Sequence, residues 1–249
     1  MIVGIFGVGA IGGSIGLRAR RNGDVVLGYD ADPRALELAR ERGAIDEATS
    51  RKELAHRADV LVIAAHLAPA VEEIERLSRA GATAASLVTD VASVKVPIAR
   101  AARGLKNFVA GHPMAGTERS GVTAARADLF EGRPWAYAPS GDEELDERAR
   151  SFVTSMGGEA VAMSAEDHDR IVAITSHVPQ AVAYEYARML NEVPGAERLC
   201  GPVARELLRI SAMSPAMWRD IFAANADNVK RELRMLAAAL QSAADELSQ

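Results

Sequence analysis

Short apolar runs alternate with longer amphipathic stretches through the first two thirds of the chain. The runs lie at residues 2–6, 25–29, 59–65, 86–89, 107–110, 133–138 and 159–163. Runs of this length without strict alternation are typical of parallel strands that are buried on both faces. The stretches between them repeat their apolar positions at helical spacing, and residues 121–131 and 142–156 are also expected to be helical. The pattern therefore predicts an open parallel sheet with helices packed on both faces.

The pattern changes after residue 164, where no further strand is predicted. We expect helices at 167–191, 197–211 and 217–222, and a last helix from about residue 225. Pro179 cannot donate a backbone hydrogen bond, so it should kink the first of these helices. A small helical domain has difficulty covering every apolar face, so dimerisation through this half is expected. The last helix has an apolar stripe formed by Val229, Leu233, Leu236, Leu240 and Leu247.

Three glycines with the spacing G-x-G-x-x-G follow the first strand. In such a loop Gly7 makes a tight turn, Gly9 lets a pyrophosphate approach the backbone, and Gly12 lets the next helix pack closely. The second strand ends at Asp30, 18 residues after Gly12, near the position of a carboxylate that binds a ribose 2′-hydroxyl. These features predict a Rossmann-type doubly wound domain over residues 1–163, followed by an all-α domain over 164–249. The expected dinucleotide contacts are Gly7, Gly9, Ala10, Ile11, Gly12 and Asp30.

The carboxylate of Asp30 favours NAD over NADP as the cofactor, because it would repel a 2′-phosphate. Arg34 lies four residues later, and an arginine near this position can accommodate that phosphate. We expect NAD, while Arg34 leaves NADP open.

Composition narrows the classes of partner and compartment. The 249 residues carry a net charge of −5, which favours neither a nucleic-acid surface nor a membrane-seeking basic face. No apolar run reaches the roughly 18 residues of a membrane span. Cys200 is the single cysteine, which excludes an intrachain disulfide and favours a reducing cytoplasm. His, Cys and carboxylate residues do not cluster at metal-ligand spacing, so no metal is expected.

A loop at residues 111–121 joins the two halves and sets His112 among glycines and a proline. Such loops, held rigidly at a junction, are typical places for catalytic groups, although an ordinary turn is equally compatible with this stretch alone. The strand before the loop delivers His112, and Ser93 follows the neighbouring strand. Because the carboxyl ends of parallel strands meet at one edge of the sheet, we expect both side chains to face the cofactor crevice.

The remaining histidines support weaker predictions. His66 follows the strand at 59–65 and is expected to line the crevice without a catalytic role. His177 lies beside the expected kink, where a structural and a functional role are equally supported. His168 and Asp169 can form an orienting pair, but an exposed helix start is the favoured interpretation.

Taken together, these residues resemble the prephenate dehydrogenase family of tyrosine biosynthesis over essentially the whole chain. The glycine loop is shared with many dehydrogenases, whereas the Ser-Val-Lys, Gly-His-Pro-Met-Ala-Gly and Trp-Arg-Asp-Ile-Phe elements are specific in combination. The motifs are Gly7-Val-Gly-Ala-Ile-Gly-Gly-Ser, Asp90-Val-Ala-Ser-Val-Lys95, Gly111-His-Pro-Met-Ala-Gly-Thr-Glu-Arg-Ser-Gly121, Ser176-His-Val-Pro179 and Met217-Trp-Arg-Asp-Ile-Phe222.

The resemblance implies NAD-dependent oxidative decarboxylation of prephenate to 4-hydroxyphenylpyruvate, or the same reaction on arogenate by an arogenate or cyclohexadienyl dehydrogenase. His112 is implied to accept the C4 hydroxyl proton, a task suited to imidazole. Ser93 is implied to bond to His112 or to the substrate hydroxyl, and Arg209 to hold the side-chain carboxylate. The other implied pocket residues are His177, Thr117, Glu118 and Trp218.

The chain departs from the family pattern in two places. Gln180 stands where many members have a second histidine, and residues 201–208 differ from the expected glycine-rich form. The first change bears on details of the pocket, and the second on how the substrate side chain is selected. The sequence also leads us to expect no appended ACT domain and no fused chorismate mutase, so that any inhibition by tyrosine would act at the active site.

Two other interpretations remain open. A β-hydroxyacid or imine-type NAD(P) oxidoreductase would need a catalytic lysine or aspartate on the long helix, and residues 167–191 contain no lysine. A non-catalytic NAD(H)-binding protein would make Ser93, His112 and Arg209 jointly incidental.

Overall fold

An eight-stranded sheet organises the first part of the chain in the computed structural model, which describes residues 1–81, 83–116 and 119–247. The chain separates into two units, Met1–His168 and Asp169–Gln249. The domain boundary expected from the sequence, between residues 163 and 164, lies close to this division.

The sheet of the first unit is mostly parallel. Its strands are β1 (Ile2–Phe6), β2 (Val25–Tyr29), β3 (Glu47–Ala48), β4 (Val60–Ile63), β5 (Leu87–Asp90), β6 (Phe108–Pro113), β7 (Pro134–Ala138) and β8 (Glu159–Ala162). They are arranged in the order β3-β2-β1-β4-β5-β6-β7-β8. Neighbours from β3 to β6 pair in parallel, β7 pairs antiparallel with β6, and β8 pairs in parallel with β7. The predicted Rossmann-type sheet is confirmed, with two strands reversed at one edge.

The strand order reverses between β1 and β4, and this is the point where open α/β sheets bind their ligands. Helices cover both faces of the sheet, because successive strand residues point into two separate cores. Val3 and Ile5 lie in one core, whereas Phe6 lies in the other. The helices of this unit are α1 (Ala10–Arg21), α2 (Pro33–Glu41), α3 (Arg51–Arg57), α4 (Leu67–Ala80), α5 (Val96–Ala101), α6 (Glu143–Ser155) and the beginning of α7 (Ala165–Val172).

Two segments of the first unit differ from the sequence-based expectation. The helix expected at 121–131 is wrong, because the structure has a 3-10 turn at Val122–Ala124 followed by further turns. Val122 and Ala125 pack on α1, and this contact outweighs the local helical preference. The strand β3 and the helix α3 were not predicted, although Ser50 and Glu53 form a capping box that marks the start of α3.

The second unit is helical, as predicted. Its helices are α8 (Val178–Asn191), α9 (Pro202–Ser211), α10 (Pro215–Ala224) and α11 (Ala226–Glu246). The expected kink at Pro179 takes another form, because a π-helical segment at Ala173–His177 precedes α8. Pro179 then follows two residues after this π-helical segment, which interrupts the regular helix just before the proline.

No helix within the described ranges combines the length and the low charge that crossing a membrane would require.

Candidate active site

The glycine loop after β1 lies tightly against the end of β4. Gly7 has a positive φ of 96°, and a Cβ there would lie 2.7 Å from the carbonyl oxygen of Ala64. A Cβ at Gly12 would collide with the carbonyl oxygen of Gly7. These two positions explain why the turn and the packing of α1 need glycine.

Gly9, by contrast, faces open space. A Cβ built on it meets no atom within 4 Å, although its φ of −72° would allow a side chain. Gly9 is the N-cap of α1, and in the described structure neither a capping side chain nor an acidic first-turn residue occupies that helix end. The first N–H groups and the positive end of the helix dipole are therefore presented to a ligand, as an anionic pyrophosphate requires. Ala10 and Ile11 are the first residues of this helix.

Asp30 braces the same loop from the end of β2. Its Oδ2 accepts a hydrogen bond from the Val8 N–H at 2.9 Å, and its Oδ1 accepts one from Asp32 N–H at 2.9 Å. The side chain is half-buried at the carboxyl end of β2. It thus fixes the conformation of the glycine loop in addition to any contact with a ribose hydroxyl. Arg34 is exposed, and its backbone N–H donates to the side chain of Asp32, which is the N-cap of α2.

A buried ion pair lies at the end of β5. Asp90 and Lys95 are almost wholly inaccessible to solvent and contact each other directly. Lys95 Nζ also donates to the carbonyl oxygen of Gly111 at 2.6 Å, and Asp90 Oδ1 accepts from the Gly111 N–H at 3.0 Å. The pair, which we call the Asp90–Lys95 clamp, therefore holds both polar groups of the residue that precedes His112.

Asp90 and Lys95 belong to the Asp90-Val-Ala-Ser-Val-Lys95 motif, but no role is predicted for either from the sequence. The available signal was a carboxylate at the end of a buried strand, followed five residues later by a lysine. A buried lysine is rare unless it is paired.

His112 lies half-buried on β6, and its ring is bonded to a second histidine. His112 Nδ1 and His168 Nε2 are 2.8 Å apart, and the ring centroids are 5.0 Å apart. His168 belongs to α7 and is 2% exposed. The favoured expectation of an exposed helix start at His168 and Asp169 is therefore wrong, since both side chains are buried.

Ser93 lies half-buried in the segment between β5 and α5, on the loop that also provides the Asp90–Lys95 clamp. The Nδ1 atom of His112 faces His168 rather than Ser93. Contact between Ser93 and a substrate hydroxyl stays a prediction. Thr117 and Glu118 lie outside the described residues. His66 is exposed and is the N-cap of α4, directly after β4.

The chain beyond the His112 loop is fastened to α1. Val122 and Ala125 lie directly over Gly13, and the Arg126 N–H donates to Ser14 Oγ at 2.9 Å. The segment that carries His112 thus starts on the central sheet and returns to the helix whose first turn forms the dinucleotide site.

In the second unit, His177 sits in a buried aromatic and polar cluster. It is 1% exposed, and the rings of Trp218 and Phe222 meet it edge-on. Asn225 Nδ2 donates to the carbonyl oxygen of Asp169 at 2.6 Å and lies 3.2 Å from His177 Nδ1. Because a carbonyl oxygen can only accept, the amide orientation is set and His177 Nδ1 is an acceptor. Trp218 Nε1 is buried without an acceptor among the described residues.

Arg209 lies on α9 and is paired along its own helix. Its Nε donates to Glu206 Oε2 at 2.9 Å, and a second nitrogen contacts Glu206 Oε1. This hydrogen bonding lowers the pKa of the Glu206 carboxyl below its usual value. The guanidinium therefore already presents the two-pronged geometry that a substrate carboxylate needs.

Gln180, the departure from the family pattern, has a structural contact. Its side chain is buried, and its Nε2 donates to the carbonyl oxygen of Ile210 at 3.0 Å. The Tyr184 hydroxyl donates to the carbonyl oxygen of Met213 at 2.9 Å. Burial raises the pKa of the Tyr184 phenol above its usual value. Together these bonds tie α8 to the carboxyl end of α9, where Arg209 lies.

Across residues 1–81, 83–116 and 119–247, no three His, Cys, Asp or Glu side chains are gathered as a metal site would require.

Comparison with known proteins agrees with this geometry in both units. Residues 15–162 match the family model described as prephenate dehydrogenase, nucleotide-binding domain. Residues 164–249 match the model described as prephenate dehydrogenase, dimerization domain.

Individual relatives cover nearly the whole chain. NovF, a probable prephenate dehydrogenase of Streptomyces niveus, is 37% identical over 98% of this chain and 68% of its own length. Prephenate dehydrogenase of Bacillus subtilis is 33% identical over 90% of this chain and 64% of its own length. The chain thus spans about two thirds of these curated relatives. The crystal structure of prephenate dehydrogenase from A. aeolicus with hydroxyphenyl propionate and NAD+ is 30% identical, with a TM-score of 0.89 over 100% of this chain and 91% of that one.

The Asp90–Lys95 clamp leads to a stability prediction. Lys95→Met removes one partner and leaves a buried carboxylate without its counter-charge, so the free energy of unfolding should fall by about 3–5 kcal/mol. Lys52→Met, at an exposed lysine of α3, should change it by less than about 0.5 kcal/mol. Urea unfolding of the two variants measures the difference.

The double variant Asp90→Asn with Lys95→Met should recover part of that loss, because it removes the unpaired charge. A loss below about 1 kcal/mol for Lys95→Met alone would contradict the assignment of Asp90 and Lys95 as a buried, mutually dependent ion pair.

Proposed function

The chain belongs to the prephenate dehydrogenase family, and from that premise we propose that it catalyses the oxidative decarboxylation of prephenate to 4-hydroxyphenylpyruvate. The observation that carries this proposal is His112, held on β6 by the Asp90–Lys95 clamp and by the bond to His168. Its segment returns to α1, the helix that begins at the dinucleotide site. A positioned imidazole beside a dinucleotide site is the arrangement that alcohol oxidation requires.

The first unit provides the cofactor site. The cofactor is NAD, and the open space at Gly9 and the uncapped start of α1 suit its pyrophosphate. When bound, NAD supplies the hydride acceptor. We propose that Asp30 contacts the ribose while it also braces the loop.

The chain's own residues then handle the proton and the carboxylates. His112 accepts the C4 hydroxyl proton. A general base in this role typically raises the reaction rate by about 10²–10⁴-fold. Ser93 binds the same hydroxyl. As carbon dioxide leaves, the ring becomes aromatic, which makes the overall step irreversible.

Arg209 is proposed to bind the side-chain carboxylate in place of Glu206. Both side chains are exposed, so the exchange replaces one carboxylate by another on the same guanidinium and leaves Glu206 in solvent. His177 and Trp218 are proposed to complete the substrate pocket, as the family resemblance implies. The same resemblance supports Thr117 and Glu118 as pocket residues.

We also propose that the protein is a cytoplasmic homodimer formed through the second unit. This unit exposes many large apolar side chains that a monomer would leave in water. In α11 as described, Val229 is the buried residue, while most of the predicted stripe is half-buried or exposed. The most exposed apolar residues are Met189, Val193, Leu199, Val203, Met235, Leu240 and Leu247.

Steady-state assays with prephenate and arogenate, each with NAD and with NADP, test the function directly. We expect NADH and 4-hydroxyphenylpyruvate from prephenate. A preference for arogenate would identify arogenate, instead of prephenate, as the substrate. Absence of turnover on both substrates would contradict the proposal.

The N-cap glycines allow a controlled test of the cofactor site. Gly9 and Gly201 both begin helices, have negative φ, and face open space. Alanine at either position should reduce stability by a similar amount, about 1 kcal/mol or less. Only Gly9→Ala should weaken NAD binding, by about tenfold or more, because its methyl group occupies the place of the pyrophosphate.

Calorimetric titration of NAD into both variants measures this difference. Equal NAD affinity in the two variants would place the pyrophosphate elsewhere.

Arg209→Ala should raise the KM for prephenate by about tenfold to a hundredfold, the scale of a lost charge-assisted bond. Its kcat should stay within about threefold, since the contact exists in ground and transition states alike. Arg188→Ala is the matched control, because Arg188 pairs with Glu185 three residues earlier on α8, as Arg209 pairs with Glu206. An unchanged KM in Arg209→Ala would mean that another residue anchors the carboxylate.

A further inference from the structure

The buried ring of His168 contacts the ring of His112, the residue proposed to accept the substrate proton. His168 Nε2 lies 2.8 Å from His112 Nδ1, and His168 is 2% exposed. We propose that His168 is a positioning residue that sets the tautomer of His112, so that Nε2 of His112 is its basic nitrogen. The inference rests on the proposed function of His112 as proton acceptor.

The chemistry of the contact allows two arrangements. A hydrogen bond between two ring nitrogens holds one proton, so one ring donates and the other accepts. If His168 donates, His112 Nδ1 accepts, and a neutral His112 carries its proton on Nε2, where it cannot act as a base. If His168 accepts, His112 carries its proton on Nδ1, and Nε2 is the basic nitrogen. Proton abstraction through Nε2 therefore requires His168 to be the acceptor.

The same hydrogen bond is also present after proton transfer, when His112 is protonated. Once His112 has taken a proton on Nε2, its ring is a cation that still donates from Nδ1 to His168. A hydrogen bond from a charged donor is about twice as strong as a neutral one. His168 thus keeps its hydrogen bond to the imidazolium as charge develops, in the position that a carboxylate takes in a catalytic triad but as a neutral acceptor.

The backbone on either side of the pair is held in place. The backbone N–H of His168 donates to the carbonyl oxygen of Ser164 at 2.9 Å. Ser164 Oγ donates to Asp167 Oδ2 and accepts from the Asp167 backbone N–H at the start of α7. On the other side, His112 follows directly on Gly111, which the Asp90–Lys95 clamp holds.

Lys95 and Tyr137 line a narrow gap together with His168. The ammonium of Lys95 is directed at Asp90 and at the Gly111 carbonyl oxygen, and an ammonium has no lone pair to accept a proton. Lys95 therefore cannot replace His168 as the acceptor for His112.

The direct test is nitrogen-15 NMR of the imidazole rings in the full-length protein without substrate. The chain has five histidines, so single substitutions assign each ring. We expect His112 to carry its proton on Nδ1 in the unmodified protein, and to lose this preference in His168→Phe, which keeps a ring but offers no acceptor. A proton on Nε2 in the unmodified protein, or the same tautomer in His168→Phe, would overturn the inference. Because no substrate is present, this result is independent of the proposed reaction.

Kinetics with prephenate and NAD provide the second readout. His168→Phe should lower kcat by about tenfold to a hundredfold, the usual cost of losing a partner that orients a functional histidine, and leave both KM values within about threefold. His168→Gln offers an amide oxygen at the same reach and should restore kcat to within about threefold of the unmodified protein. His56→Gln, at an exposed histidine of α3, is the matched control and should not change kcat. Equal losses in His168→Phe and His168→Gln would show a packing role and overturn the assignment.

Discussion

The buried ion pair between Asp90 and Lys95 is the contact on which the arrangement of the first unit depends. It joins the end of β5 to β6 through both polar groups of Gly111, so the two charges hold the peptide groups on either side of one residue. Buried ion pairs contribute little net stability when compared with apolar packing, but they are costly to break. We infer that such a pair is kept here because it fixes the position of the next residue, His112.

Side chains hold the backbone in the same way at the dinucleotide site. Asp30 uses both carboxylate oxygens to shape the glycine loop, and Ser14 holds the segment that follows the His112 loop. Polar side chains at the carboxyl ends of the strands and on α1 therefore hold the backbone of the two loops that carry the proposed site. In the second unit, Asn225 and Gln180 act alike, the first by orienting His177 and the second by tying α8 to α9.

Much of this could be predicted from the sequence where function depends on local spacing. The glycine loop and its carboxylate lie at fixed separations, and apolar runs indicate the strands. The pairing of His112 with His168 was missed because it joins residues 56 positions apart, and only the tertiary fold buries His168. The local composition of residues 121–131 predicts a helix, but the contact of Val122 and Ala125 with Gly13 outweighs it and the structure has turns there.

The central claim is that the imidazole of His112 accepts the substrate proton beside a bound NAD. The most direct test replaces it by asparagine, which cannot act as a base near neutral pH, and compares kcat with the affinity for NAD. The account predicts a fall in kcat of about a hundredfold or more with the NAD dissociation constant changed by less than about threefold. A variant that keeps more than about a third of the original kcat would contradict it.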